Sequence, residues 1–493
     1  MDFVKNFPLF MIVLCLLSSS TSTLLKKEWA RIVNTALIVI VGVMSYMVMV
    51  YCQANGSFTY MMGHFPAPWG NEVRGGVLEG FMGAFFCVIM LLSMLGGHKK
   101  LFDEVEETKH NLYYVLVDLL LCSLIALVYT NDLFTAYVFI EINTISACGL
   151  IMIRQNGRTI EAAVRYMVMS LLGSGLILMG ICMIYDITGH LLMSNIKEYI
   201  EGMNGYSVPL LVSIALMSVG LAIKSALFPF HAWLPDAYGY STVSSAAILS
   251  SLVSKGYIFL LIKIIYRVIG FDVYKGTHII DVLFIFGLMG MIFGSVSAIR
   301  ENDVRRMIAY SSVAQIGYIY MGIGMGTELG MSASVFHILS HGATKSLLFI
   351  AAIGLTEVSG GSRHFEELTG AGYRNKWSGI AFTVGSLSMV GIPLFSGFIS
   401  KLLFAQAAVG LSGRMLPALI VLGISTILNA IYFLKTVIRI YTPVEETEFF
   451  ELHSKQIKRY ATVLAAFMLL NVFLGVMSEP ITSLITAGLE MFS

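Results

Sequence analysis

Charged side chains lie within long apolar segments of this 493-residue sequence. The segment "VGLAIKSALFPFHAWLPDA", residues 219–237, places Lys224 in an apolar run and Pro229 five residues later. A lysine at the centre of a membrane span costs roughly 2.5–3.5 kcal/mol on insertion scales. A proline inside a helix removes a backbone hydrogen bond and clashes with the carbonyl four residues back. Two such costly features close together predict a functional site.

Six further ionisable side chains lie in other apolar runs, among them "FIEINTISACGL", "SSLVSKGYIF" and "FHILSHGATKSLLF". With Lys224 they form the candidate set Glu141, Lys224, Lys255, His337, His341, Lys345 and Lys401. The two histidines and Lys345 follow one another at four-residue intervals, which places them along one helix face, about 6 Å apart per step. The sequence therefore predicts a row of ionisable side chains in one apolar region.

The charge balance of this set indicates proton transfer. Within it, Glu141 is the one acid against the three lysines at positions 224, 255 and 401, even before Lys345 is counted, so ion pairing alone leaves a surplus of positive charge. Burial disfavours the charged form of a lysine, and some of these lysines are expected to be neutral part of the time. A lysine that gains and loses a proton near neutral pH is a proton carrier. For Asp118, near the start of another run, a structural role is the favoured interpretation.

The elements that hold these side chains are predicted to be membrane helices. Hydrophobic residues make up 57% of the chain and charged residues 12%, whereas soluble domains carry about 25% charged residues. Continuous apolar runs, without the alternation of a β-barrel, favour an all-α integral membrane protein. Fourteen spans are expected, near residues 7–25, 33–52, 76–97, 112–130, 133–153, 163–185, 208–228, 243–266, 279–299, 306–326, 330–356, 378–410, 415–441 and 461–488.

Loop charges and missing motifs narrow the function. Lysine and arginine concentrate in the loops after odd-numbered spans, so the positive-inside rule places those loops in the cytoplasm and both termini on the outer side of the cell membrane. The absence of a Walker-type phosphate loop excludes ATP hydrolysis by this chain. The six cysteines form no C-x-x-C pair, so no metal or other cofactor is expected. A net charge of +1 excludes a broadly basic nucleic-acid binder.

Two of the predicted spans carry signs of a broken helix. Pro229 lies at the end of span seven, and span twelve contains "GIPLFSG", in which Pro393 lies between two glycines. Hydrophobic segments interrupted by Gly or Pro in corresponding halves of a chain indicate an inverted-repeat transporter. Each break lies near a lysine of the candidate set, and the freed carbonyls and helix ends there would polarise that lysine without exposing backbone to lipid.

Long segments of the chain resemble a known family. "KSALFPFHAWLPDAYGYSTVSSAAILSSLVSKGY", "RRMIAYSSVAQIGY" and "LSHGATKSLLF" are similar to signatures of the antiporter-like membrane subunits shared by respiratory complex I, Mrp-type cation/proton antiporters and membrane-bound hydrogenases. The resemblance implies two inverted five-helix repeats, helices 4–8 and 9–13, each with one broken helix. The corresponding divisions are 1–110 for helices 1–3, 111–267 and 278–441 for the repeats, and 460–493 for helix 14.

The resemblance also implies roles for the candidate residues. Glu141 would pair with Lys224 and modulate its proton affinity. Lys224 would be the proton-holding site of one half-channel and Lys401 its counterpart in the other. A hydrated connection between them would be formed by Lys255, His337 and His341, and Lys345 belongs to the same predicted proton-translocation set.

Departures from the family pattern indicate which branch of the family this chain resembles most. One complex I member has glutamate where this chain has Lys401, and the longest members continue past span fourteen into a lateral helix, whereas this sequence stops at Ser493. What remains resembles the D-type membrane protein of Mrp antiporters and the related subunits of hydrogenases and complex I. The stretch "HFPAPWGNEVR" favours the Mrp-like branch.

The predicted function is proton translocation within a multisubunit membrane complex. Expected partners are other membrane subunits, with peripheral iron–sulfur or hydrogenase subunits allowed by the resemblance. The transported ion is H⁺, and Na⁺ handling, if present, is assigned to partner subunits. A self-sufficient secondary cation/proton antiporter is the alternative. No redox or hydrolytic chemistry is expected in this chain, while membership of an NADH:quinone oxidoreductase-like or hydrogenase translocase stays open.

Overall fold

A computed structural model of the chain describes residues 2–66, 69–203, 207–443 and 454–492. Residues 67–68 of the Mrp-like stretch noted above lie outside the described residues, as does Ser493 at the end of the predicted C-terminal division.

Helices dominate the described part of the chain. They are α1 (Phe7–Ser22), α2 (Lys27–Asn55), α3 (Val77–Glu104), α4 (His110–Tyr129), α5 (Leu133–Met152), α6 (Gly157–Thr188), α7 (Met193–Glu201), α8 (Val208–Lys224), α9 (Leu234–Tyr240), α10 (Val243–Ile248), α11 (Ser254–Ile264), α12 (Phe271–Lys275), α13 (Ile279–Arg300), α14 (Val304–Gly324), α15 (Glu328–Glu357), α16 (Ala371–Arg374), α17 (Lys376–Val390), α18 (Ser396–Ala408), α19 (Met415–Ile440), α20 (Ser454–Val476) and α21 (Ser478–Glu490). π-helical turns at Leu249–Val253 and Ile265–Ile269 adjoin α11 and, with α10, make one continuous helical segment, Val243–Ile269.

Eleven helical segments among the described residues are long and apolar enough to cross a membrane. This finding agrees with an all-α, multi-span membrane fold. Helix α8 is apolar but shorter than the eleven, α14 begins with two arginines, and α17 and α18 are halves of one predicted span. These three positions coincide with the remaining predicted spans; the count of fourteen stays a prediction.

Both predicted helix breaks are present, although the helices around them differ from the predicted spans. Helix α8 ends at Lys224, four residues before the predicted end at 228, because Pro229 would clash with the carbonyl of Ser225 in a continuing helix. The predicted span 378–410 is not continuous. It consists of α17 and α18, and Pro393 lies in the connection between them.

Three other predicted segments also differ in the structure. The predicted loop 186–207 contains α7, whose buried Met193, Ile196 and Ile200 form one apolar face. The predicted loop 53–75 contains an antiparallel hairpin of β1 (Phe58–Met61) and β2 (Glu72–Gly75). The predicted span 461–488 is divided into α20 and α21, because Pro480 in the first turn of α21 would clash with the carbonyl of residue 476, where α20 ends.

Contacts at the helix ends and in the connections show which ends of the helices lie together. At one end, Lys99 Nζ lies 2.8 Å from a carboxylate oxygen of Glu357, and Arg154 lies 3.7 Å from Glu104. These residues follow predicted spans three, five and eleven. At the other end, Asn131, after span four, donates a 2.6 Å hydrogen bond to Glu72, after span two. The segments after these odd-numbered spans thus contact one another, as do the two segments after even-numbered spans.

Candidate functional site

The first group of candidate residues lies where α8 ends. Lys224 is the last residue of α8 and is buried. Its Nζ atom donates a 2.7 Å hydrogen bond to Oγ1 of Thr144 and lies 3.8 Å from Oε1 of Glu141. The carbonyls at a helix C-terminus carry partial negative charge, which stabilises a cation there. The helix end and the Glu141 carboxylate therefore both favour the ammonium form of Lys224.

Helices α5 and α6 position the acid beside this lysine. Glu141 and Thr144 are one turn apart on α5, so both side chains reach the same region. The hydroxyl of Ser174, on α6, donates a hydrogen bond to the Glu141 carboxylate. The Glu141 side chain is 26% exposed, whereas that of Lys224 is fully covered. The structure thus places together the two residues for which the family resemblance implies a pair.

Hydroxyl and amide groups continue from Thr144 toward α11 and α4. The Tyr257 hydroxyl lies 3.4 Å from Oγ1 of Thr144 and donates a 2.9 Å hydrogen bond to Oδ1 of Asn143. Asn143 in turn donates to Ser123 at 2.8 Å. Sequence reasoning missed this network, because single hydroxyl and amide residues in apolar helices are common. The detectable signal was the spacing of Thr144 from Glu141, one helical turn.

Lys255 lies next to a π-helical turn. Its side chain is buried, and Nζ donates a hydrogen bond to the carbonyl oxygen of Ser250 within that turn. π-helical turns are rare and are found frequently at functional sites. Among the described residues, no carboxylate lies within ion-pair distance of the Lys255 ammonium group, so this lysine is held by a backbone dipole alone.

The two histidines lie on α15, which is buried along nearly its whole length. The rings of His337 and His341 are stacked, with centroids 6.0 Å apart. Nδ1 of His337 lies 3.0 Å from the hydroxyl of Ser400 on α18. Both ring nitrogens of His341 and Nε2 of His337 are buried without a hydrogen-bond partner among the described residues. Since buried polar atoms are normally paired with protein or ordered water, these nitrogens are suited to exchange protons with water.

Lys345 lies further along the same helix. Its Nζ atom donates a 2.9 Å hydrogen bond to the carbonyl of Ile308 and a second bond to the hydroxyl of Ser311, both on α14. The predicted four-residue spacing therefore holds on one continuous helix, but Lys345 turns to α14, whereas His337 contacts α18. No carboxylate within the described ranges forms an ion pair with Lys345.

Lys401 lies beside the second helix break. Its Nζ atom donates hydrogen bonds of 2.7 Å and 3.2 Å to the carbonyls of Val390 and Met389, at the C-terminal end of α17. Like Lys224, it thus lies where a helix end favours a cation. Lys401 belongs to the helix after its break, however, whereas Lys224 belongs to the helix before its own.

Glycines give both lysine side chains room. Gly391 has φ +92°, and a Cβ at this position would lie 3.0 Å from Cδ of Lys401. A Cβ at Gly173 would lie 3.0 Å from Cγ of Lys224 and 2.9 Å from the carbonyl oxygen of Gly220. Side chains at these positions would therefore force the lysines or their helices to shift.

Arginines hold the short helix that follows the first break. Three of them donate to carbonyls at the C-terminal end of α9, a favourable position for cations. The bonds are Arg154 to Tyr240 at 3.1 Å, Arg363 to Gly239 at 2.9 Å, and Arg305 to Tyr238 at 3.2 Å. Arg306, next to Arg305, forms an ion pair with Asp236 on α9. The segment "RRMIAYSSVAQIGY", identified only by resemblance, thus contributes two of the residues that fix α9.

Asp118 joins helices outside this site. Its carboxylate accepts hydrogen bonds from Ser18 at 2.7 Å, from Asn34 at 2.6 Å and from Ser22 at 3.4 Å. The carboxylate is fully buried and connects α4 to α1 and α2. This arrangement supports the structural interpretation of Asp118.

A buried ionic cluster around Arg74 and Glu79 was not predicted from the sequence. Arg74 pairs with Glu79 and donates to the carbonyl of Met491, and both charged side chains are at least 98% buried. Lys263 is buried as well and donates a 2.7 Å hydrogen bond to the carbonyl of Val128.

Comparisons with known proteins agree with this architecture. The family model described as "NADH:quinone oxidoreductase/Mrp antiporter, TM" matches residues 130–428. NADH-quinone oxidoreductase subunit N of Desulforudis audaxviator is 31% identical over 385 residues, which are 78% of this chain and 75% of that protein. "Putative antiporter subunit mnhD2" of Staphylococcus aureus is 28% identical over 449 residues, 91% of this chain and 87% of that protein.

A solved structure is similar over nearly the whole chain. A chain of the membrane-bound sulfane sulfur reductase, an archaeal respiratory membrane complex, has a TM-score of 0.88 and 27% identity, with coverage of 98% of this chain and 97% of that one. The region 130–428, matched by the family model, contains both helix breaks and all seven residues of the predicted proton-translocation set.

Proposed function

Because the chain belongs to the NADH:quinone oxidoreductase/Mrp antiporter transmembrane family, we propose that it is the proton-translocating subunit of a multisubunit membrane complex. The observation that carries this proposal is the buried Lys224 at a helix break, with Glu141 beside it and further buried lysines beyond. Among the described residues, Lys255, Lys345 and Lys401 have no acidic partner within ion-pair distance. Burying a lysine without an acidic partner costs less free energy when the side chain can lose its proton and become neutral.

Lys224 is suited to hold a proton in one state and release it in the other. In the ammonium form, Nζ is stabilised by the Glu141 carboxylate and by the carbonyl end of α8. After the proton leaves, the neutral amine still donates to Thr144. Since neither form is left without a partner, the free-energy difference between them stays small enough for exchange.

The second half of the predicted route runs from Lys255 to Lys401. Both ring nitrogens of His341 and Nε2 of His337, which have no hydrogen-bond partner among the described residues, are the groups that would pass the proton through intervening water. Ser400, which lies beside His337, is one residue before Lys401 on α18. Charging one lysine disfavours charging its neighbour, so occupancy would move along the row in steps.

The proposed architecture has fourteen membrane helices. Two inverted repeats would comprise helices 4–8 (111–267) and 9–13 (278–441), after three N-terminal helices (1–110) and before the C-terminal segment (460–493). The two broken helices support this division, because each is the fourth helix of its repeat. Basic residues in the odd-numbered loops favour a cell-membrane protein with both termini on the outer side.

The proposed partners are other membrane subunits. The relatives are named as subunits of an oxidoreductase and of an antiporter, and the structural neighbour is a chain of a respiratory membrane complex. These names support two kinds of driving force, a redox reaction in peripheral subunits and a cation gradient. Either would act on the same row of lysines, and any Na⁺ handling would lie in the partner subunits.

Gentle capture from membranes tests this function. The chain would be solubilised in mild detergent and captured, and the co-purifying proteins and metals would be identified. Peripheral redox subunits with iron, alone or with nickel, would assign a respiratory or hydrogenase-type pump. Small membrane subunits without metal would assign a cation/proton antiporter complex. Purification of the chain alone, with full cation/proton exchange after reconstitution, would contradict the subunit assignment and support a self-sufficient antiporter.

A further inference from the structure

A basic cavity of about 590 Å³ lies at the end of the bundle where the connections after α5 and α15 meet. It lies outside the row of lysines and histidines. Its charged and aromatic lining consists of Arg154, Arg158, Arg363, His364, Tyr240 and Asp303. Three guanidinium groups thus share one cavity with a single carboxylate.

The carboxylate in this lining is already engaged. Oδ1 of Asp303 accepts the backbone N–H groups of Arg305 at 2.8 Å and Arg306 at 3.1 Å, and so caps the first turn of α14. The same carboxylate also attracts the Arg363 guanidinium and so compensates part of the positive charge in the cavity.

The three arginines differ in how much of their charge is compensated. Arg154 lies 3.7 Å from a carboxylate oxygen of Glu104, and Arg363 donates to a neutral backbone carbonyl. The exposed Arg158 lies over the ring of Tyr240, with its guanidinium carbon 5.6 Å from the ring centroid. No carboxylate of the described residues forms an ion pair with Arg158. Three guanidinium groups against Asp303 and Glu104 leave the cavity with a net positive charge, carried mainly by Arg158.

The first turn of α6 adds to this potential. The helix begins at Gly157, and its N-terminus carries partial positive charge. A Cβ at Gly157 would meet no atom within 4 Å, so the backbone here is open to the cavity. Arginine forks and helix N-termini bind the tetrahedral oxygens of phosphate through charge-assisted hydrogen bonds.

An apolar stripe leads away from the cavity along α6. Ile160, Val164 and Val168 share one face of this candidate membrane helix and are 44%, 57% and 53% exposed, so the helix presents apolar surface from the turn after Arg158 onward. A basic cavity above an exposed apolar stripe matches a molecule with an anionic head and a hydrocarbon tail. We propose that the cavity binds a phosphate group, supplied by an anionic phospholipid whose head lies against Arg158 and Arg363 and whose acyl chain lies along this stripe.

This site lies directly beside the arginines that hold α9. Arg154 and Arg363 line the cavity and also donate to the carbonyls of Tyr240 and Gly239. A bound phosphate would accept hydrogen bonds from the other N–H groups of these two arginines. It would therefore bind to the same side chains that hold α9. The binding site itself does not depend on the proposed proton function.

Native mass spectrometry of the purified full-length chain tests the proposal. Wild type, Arg158→Gln and the control Arg300→Gln would be incubated with phosphatidylglycerol in mild detergent. Arg300 is an exposed arginine at the end of α13, outside the cavity lining. Wild type and Arg300→Gln are expected to retain one tightly bound lipid. Arg158→Gln should retain it roughly tenfold less, the effect of losing one charge-assisted contact, and Arg158→Lys should recover part of the binding.

Competition distinguishes the source of the phosphate. If inorganic phosphate does not displace the bound lipid, the result supports a phospholipid as the source of the phosphate group. A second outcome is that no lipid is retained, while inorganic phosphate stabilises the wild-type protein but not Arg158→Gln. This outcome would support the phosphate site but overturn its lipid source. Equal lipid retention by all variants, without an effect of phosphate, would overturn the site. Protection of Arg158 from phenylglyoxal by another protein of the captured complex, without bound lipid, would also overturn it.

Discussion

The Nζ atom of Lys224 lies 3.8 Å from Oε1 of Glu141, too far for a hydrogen bond of ordinary length but close enough for strong Coulombic attraction. The hydrogen bond of the lysine goes to Thr144 instead, at 2.7 Å. The acid therefore favours the protonated lysine without receiving its proton directly. This arrangement suits a site whose proton must leave again.

Glu141→Gln is expected to move the pH profile of transport toward lower pH. The substitution keeps the size of the side chain but removes the negative charge that favours the ammonium form of Lys224, so the lysine loses its proton at lower pH. The shift should be on the order of one pH unit, given the partial exposure of Glu141. Transport rates measured between acidic and alkaline pH in wild type and variant check it. A profile at its original position would show that the two charges are not coupled.

Thr144→Val is expected to slow transport without unfolding the protein. Valine has nearly the shape of threonine but leaves the Lys224 amine without its 2.7 Å acceptor, and a hydrogen bond to a charged group contributes about 1.5–3 kcal/mol. A decrease in rate of roughly tenfold or more follows. The matched control is Thr383→Val on α17, whose hydroxyl donates to the carbonyl of Gly379 in its own helix and to no other group in the described part of the chain. Equal rates in both variants would remove Thr144 from the route.

The candidate residues whose charge is costly inside a membrane could be identified from the sequence. Lys224, Lys255 and Lys401 stand out because a charge in an apolar run needs a reason, and Pro229 and Pro393 locate the breaks because proline cannot continue a helix. The spacing of His337 and His341 fixed their shared face. Each of these inferences depends on one residue and its immediate neighbours in the chain.

Contacts between distant segments could not be predicted in the same way. Tyr257 meets Thr144 only because α11 packs near α5, and hydroxyl groups are common in apolar helices. Arg305 is one of many basic residues near loops, and only the fold brings it to the carbonyl of Tyr238. The hairpin and α7 were missed because both lie in the connections between predicted spans, where contacts with distant segments determine the packing.

Asp118→Asn is expected to destabilise the protein while transport per folded molecule stays unchanged. The carboxylate accepts three hydrogen bonds from α1 and α2, and an amide cannot accept all three because its NH₂ group is itself a donor. The loss should be about 1–3 kcal/mol, measured as a lower unfolding temperature in detergent. Loss of transport at an unchanged unfolding temperature would instead place Asp118 in the proton route.

Proton uptake by vesicles containing the captured complex tests the central claim most directly. Wild type, Lys224→Ala and the control Lys435→Ala would be compared, since Lys435 is an exposed lysine of α19 outside the row. A pH-sensitive dye inside the vesicles would report uptake while the complex is driven by its own reaction or ion gradient. We predict wild-type uptake with Lys435→Ala, and no uptake with Lys224→Ala although the complex assembles normally. Uptake at the wild-type rate in assembled Lys224→Ala would contradict the account.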